Sequence, residues 1–157
     1  MLLLFLHKQF TIRRKCGIII IDKNNIKFLD KLIWEDVEKV EKQELILDEA
    51  RQELEKCADK LERWQELSKE EQFIFSYRLN VISRPFVKRT NSLIEGDEMT
   101  QEEEEWQRVI YQLVRFRRTF ENLWKAKKED EIDLAGNKTL RELKKLLEVY
   151  DNYMAGE

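Results

Sequence analysis

The residues able to do covalent or metal chemistry are few in this chain. Its one histidine, His7, stands in an apolar stretch with no serine, cysteine or acid in a recognisable relation to it, so a structural role is expected. Cys16 and Cys57 lie in dissimilar contexts without a CxxC pair and read as reduced thiols, a single disulfide between them being the alternative. These side chains do not supply the usual zinc ligand sets, and four isolated glycines cannot form a dinucleotide or Walker loop. The expectation is a protein without catalytic residues, cofactor or metal.

Carboxylates offer the one enzymatic alternative. Glu102 and Glu105, within an unbroken run of four glutamates, are one helical turn apart, as are Asp130 and Asp133. Hard oxygen ligands so spaced face the same way, and a magnesium-dependent all-α nucleotide hydrolase would hold its metal between two such pairs. The second pair falls in an expected loop and begins with the wrong acid. The simpler expectation is that these acids offset a helix dipole and stay solvated.

Bases form three clusters suited to phosphates or to an acidic protein surface. Arg108, Arg115, Arg118 and Lys125 recur within about a 100° sector of one helix, opposite its aromatic face. Arg84, Lys88 and Arg89 stand on an expected loop with Phe86, whose ring could stack on a base. Arg13, Arg14 and Lys15 form the third cluster. None has helix-turn-helix spacing or an RNA-binding sheet motif, and a sequence pI near 5.5 leaves only a local patch to attract nucleic acid.

The charge pattern points to the elements that carry these groups. The 157 residues hold 29 bases and 32 acids, a net charge of −3. Residues 1–31 have seven bases and two acids, 32–72 seven and fourteen, and 73–96 four and one. Residues 97–106 have six acids and no base, 107–128 seven bases and one acid, and 129–157 four bases and eight acids. Blocks alternating in sign can pair across neighbouring helices, so the acidic first helix and the basic third are expected to be neighbours.

Helix signals dominate after residue 31. No Gly or Pro interrupts 32–67, where Ile33, Val40, Leu47, Leu54 and Leu61 recur every seven residues. Val37 and Ala58 take a second seam position that Glu44, Arg51 and Gln65 interrupt. Three further helices are expected at about 69–83, 101–128 and 139–154, each opened by a capping box: Ser68 with Glu71, Thr100 with Glu103, Thr139 with Glu142. Pro85 is expected to end the second, and Gly96, Gly136 and Gly156 to fall in breaks.

Residues 1–31 read instead as a basic arm with β-prone runs, Ile18 to Ile21 and Ile26 to Leu29, about an Asn-rich turn. The apolar start imitates a signal peptide but lacks a basic leading region, and no run approaches the roughly 20 residues of a membrane span. A soluble cytoplasmic protein with no membrane partner is expected. The reading is therefore an all-α, elongated bundle of about four helices, 32–157, with a long heptad-patterned first helix and the N-terminal arm. Its expected function is non-enzymatic: an adaptor, inhibitor or assembly factor binding a protein or a second copy, a homodimer first, along the Ile33, Val40, Leu47, Leu54, Leu61 seam. The alternative is a nucleic-acid-associated regulator acting through the basic arm and residues 84–89.

Overall fold

The computed structural model of the chain describes residues 31–94, 96 and 98–156, with side chains from Asp36 onward. The arm, with its β-prone runs, His7, Cys16 and the Arg13, Arg14, Lys15 cluster, lies outside the described residues, as does the Ile33 side chain. Among the described residues the chain is all-helical. Five α-helices follow in order: α1 (Lys31–Lys42), α2 (Leu47–Glu62), α3 (Lys69–Leu93), α4 (Gln101–Lys125) and α5 (Glu129–Ala155), with a 3₁₀ turn, Trp64–Glu66, after α2. None of them is long and apolar enough to cross a membrane.

The long first helix is thus two helices. Residues 43–46 break it, with Ile46 extended and its N–H donating to Glu49 Oε1 at 3.3 Å. Half-buried Leu45 packs against two separate cores and holds the chain at this bend. The bend carries Val37 and Val40 onto α3 and leaves Leu54 and Leu61 to the main core, burial that a straight rod would forgo. Val37 is buried in α1 as expected, but in α2 Ala58 is only half-buried and the second buried row is Ala50, Cys57 and then Trp64, three residues beyond Leu47, Leu54 and Leu61.

Pro85 does not end the second helix. α3 runs through it to Leu93, because its neighbours Ile82 and Phe86 are wholly buried and Val81 nearly so. Tertiary packing here outweighs the roughly 3 kcal/mol that an interior proline costs a helix. α3 is apolar on two opposite sides: Phe75, Leu79, Ile82 and Phe86 enter the main core, whereas Phe73, Tyr77 and Val81 meet α1. A helix apolar on both sides is a central one.

The first two caps form through their hydroxyls. Ser68 Oγ accepts from Glu71 N at 3.1 Å and Thr100 Oγ1 from Glu103 N at 3.2 Å. The third does not: α5 begins ten residues earlier than expected, with Glu129, Asp130 and Glu131 in its first turn, where the helix dipole favours acids. Thr139 is fully buried inside α5, its hydroxyl donating back to Ala135 O at 2.7 Å. Gly136 is accordingly a helix-interior glycine.

The main core joins α2, α3, α4 and α5, with α4 lying along α5 in the most extensive helix pairing. Trp64, in the 3₁₀ turn after α2, is its aromatic hub, with ring centroids 5.4 Å from Phe75, 5.6 Å from Phe120 and 6.4 Å from Trp124. Cross-helix ion pairs of α2 run to α3, through Glu53 and Arg78 at 2.9 Å, and to α5, through Arg51 and Asp151 at 2.8 Å. The charge blocks do complement each other, but the expected pairing of the acidic first helix with basic α4 gives way to these partners.

Candidate functional site

The two acidic pairs do not meet. Glu102 and Glu105 open α4, whereas Asp130 and Asp133 open α5 after α4 has run its 25 residues, about 37 Å at the α-helical rise. Glu102 accepts from Arg89 at 3.1 Å and from the Tyr153 hydroxyl at 3.2 Å, and Asp133 accepts from Gln65 at 2.6 Å. No group of carboxylates, histidines or cysteines able to hold a metal occurs among the described residues.

The basic loop expected at residues 84–89 is part of α3, and Phe86 is wholly buried, so its ring is closed to stacking on a base. Arg84 donates to Glu41 O at 2.6 Å, near the C-terminal end of α1. Arg89 ties three helices together, bonding Glu102 at the start of α4 and, at 2.9 Å, the Tyr153 hydroxyl on α5. Lys88 alone of the three is exposed.

The seam is also consumed by the fold. Leu54 and Leu61 are 1% and 3% exposed in the main core, Val40 is buried against α3, and Leu47 is half-buried. In this conformation these residues are closed to an outside partner.

What the fold leaves open is the outer face of the α4–α5 pair. Arg108, Tyr111 and Arg115 on α4, and Lys138, Arg141 and Lys145 on α5, are all exposed. Each set has i, i+3, i+7 spacing and so lines one side of its helix. The two lines adjoin, because Arg115 and Lys145 reach the same carboxylate, Glu142, at 3.3 and 4.0 Å. That carboxylate is buried and also accepts from the Gln112 side-chain amide at 2.5 Å, so it offsets part of the positive charge without showing at the surface. Tyr111 is 56% exposed, with the Arg115 guanidinium 5.8 Å from its ring centroid.

Where α4 ends and α5 begins, the face continues into an open groove of about 370 Å³. Leu134, Ala135 and Ala126 give it an apolar floor, and Lys125 and Lys138 stand at its edges with Glu131. Exposed Glu104 and Glu148, one turn beyond Arg108 and Lys145, limit the face at its other end. Arg118 is exposed on the same helix, and Arg117 turns the other way, to Asn80 Oδ1 at 2.5 Å on α3. This surface offers charge, hydrogen-bond donors, one exposed aromatic ring and an apolar notch, and it holds no nucleophile paired with a base.

Arg108 and Arg115 are legible in the sequence from their spacing. Tyr111 is not among the residues that the spacing of the bases selects. Lys138, Arg141 and Lys145 are missed because a helix starting at 139 cuts their line, although their spacing repeats that of Arg108, Tyr111 and Arg115. No family model, no curated protein and no solved structure matches the chain.

Proposed function

We propose that the chain is a non-enzymatic helical interaction module that binds an acidic protein surface through the outer face of α4 and α5. One observation carries this reading: two adjoining basic lines, Arg108 with Arg115 and Lys138 with Arg141 and Lys145, flank a buried acid, and exposed Tyr111 lies within the first line beside Arg115. Tyrosine and arginine anchor protein interfaces well, and a positive face raises the rate of encounter with an acidic partner. The Leu134 groove adds an apolar contact at one end of the same face.

The test is capture of partners from native lysate by the full chain and by Arg108→Glu/Lys138→Glu/Arg141→Glu, with and without nuclease. These three residues make no cross-helix ion pair among the described residues, so the variant is expected to fold as the parent does. The reading expects a protein that survives nuclease and is lost from the variant. Equal capture by both chains would overturn it. Capture abolished by nuclease would transfer the face to the nucleic-acid alternative, which the exposed arginines and Tyr111 also suit.

A further inference from the structure

We propose that α1 is an exchangeable helix: in a dimer it seats on α3 of a second copy, with α1 and α2 running as one continuous rod. The first support is how α1 is held. Val37 and Val40 form a small core with Phe73, Tyr77 and Val81 of α3, separate from the core that unites α2 to α5. α1 is thus attached chiefly to α3, with Trp124 of α4 and Leu45 of the bend packed on the same small core and the Arg84 bond to Glu41 O at its end.

The second support is the hinge. Residues 43–46 contain neither Gly nor Pro, and the hydrogen bonds of the bend are short-range, Gln43 N to Val40 O at 3.2 Å and Ile46 N to Glu49 Oε1, with Leu45 its one half-buried side chain. The third is the register. The seven-residue spacing of Ile33, Val40, Leu47, Leu54 and Leu61 passes through the bend without slipping. Straightened, Val40, Leu54 and Leu61 fall on one line, with Val37 on one side of it and Ala50 and Cys57 on the other.

Straightening in a lone chain would uncover Phe73, Tyr77 and Val81 and leave Val37 and Val40 in water. Reciprocal exchange about a twofold axis covers both sets with the same contacts, so the occupant of the α3 groove is the α1 of a second copy. The dimer gains the helical bonds of two hinges and loses the freedom of two separate chains, so its population depends on concentration. The proposal concerns α1 and α3 and does not rest on the α4–α5 face.

The full chain is sized by light scattering from about 1 to about 300 µM, beside hinge variants that act in opposite directions. Glu44→Ala/Ile46→Ala favours the continuous helix and is expected to tighten the dimer at least about tenfold, because every dimer contains two hinges. Glu44→Pro bars the continuous helix and is expected to weaken the dimer by at least as much, with helical circular dichroism unchanged. Should the proline variant fail to fold, Glu44→Gly, which loosens the same turn, is read in its place. A monomer mass for Glu44→Ala/Ile46→Ala throughout the range, or a dimer indifferent to the hinge, would overturn the proposal.

Discussion

Arg51 and Asp151, 100 residues apart in the chain, meet as a two-bond ion pair between α2 and α5, Nε to Oδ1 at 3.0 Å and Nη2 to Oδ2 at 2.8 Å. Arg51 also pairs with Glu55 on its own helix. The hydrogen bonds from Arg51 hold the Asp151 carboxyl below its ordinary range, against a smaller upward effect of burial. A carboxylate whose folded pKa is depressed stabilises the fold above its unfolded pKa, and that contribution is lost as pH falls through the folded value. Asp151 is half exposed, so the coupling is set at about 0.5–1 kcal/mol. A double-mutant cycle with Arg51→Ala and Asp151→Ala, read by urea unfolding, is expected to find that coupling at neutral pH. It should shrink below about pH 4 and in about 1 M salt.

The indole of Trp106, 1% exposed, donates to Thr90 Oγ1 at 2.9 Å, and the threonine hydroxyl in turn donates to Phe86 O at 3.0 Å. Thr90→Val keeps the shape and removes the acceptor, leaving a buried N–H without its partner. Urea titration is expected to find it destabilised by about 1–3 kcal/mol, and Thr90→Ser, which restores the hydroxyl, by less.

Gly136 lies inside α5, and a Cβ there would touch Leu123 Cδ1 at an ordinary 3.9 Å. Alanine therefore fits without moving a neighbour and restricts the unfolded chain. Gly136→Ala is expected to raise stability by about 0.5–1 kcal/mol in the same titration.

Burial pushes the Cys57 thiol up to about 12, so at neutral pH it is protonated as well as covered. In a Cys16→Ser background, a thiol reagent at neutral pH is expected to leave the folded chain unmodified and to label one sulfur after unfolding in denaturant. Rapid labelling of the folded chain would contradict this burial.

The parts of the fold legible from sequence are those fixed by short-range chemistry. The hydroxyl caps at Ser68 and Thr100 each depend on four consecutive residues, and the apolar face of α4 on its own periodicity. Thr139 with Glu142 carries the same signature and misleads, because a threonine hydroxyl bonds equally well to the carbonyl four residues back, here Ala135. Pro85 misleads for the opposite reason: a local penalty is outweighed by Ile82 and Phe86 packing against residues far away in sequence. The second seam row is set one position too far along α2, at Ala58 rather than at Ala50 and Cys57, because seven-residue spacing does not say which side of the seam the distant helices will cover. Half of the candidate site, Arg108 and Arg115, follows from spacing on one helix. The other half waits on the long-range pairing of α4 with α5 around Glu142.

The two-sided burial of α3 divides the opening of the molecule into two tiers. Release of α1 would expose the side that carries Phe73, Tyr77 and Val81 and leave the side with Phe75, Leu79, Ile82 and Phe86 intact. Backbone amides of residues 36–42 are therefore expected to exchange with deuterium through a subglobal fluctuation of low free energy, and those around Ile82 only when the whole chain unfolds. A Tyr77→Ala substitution would widen the gap between the tiers, whereas Phe75→Ala would lower the upper one. Fast exchange of the 36–42 amides beside a slow α3 would thus report a cooperative unit that leaves and returns without committing the protein to denaturation.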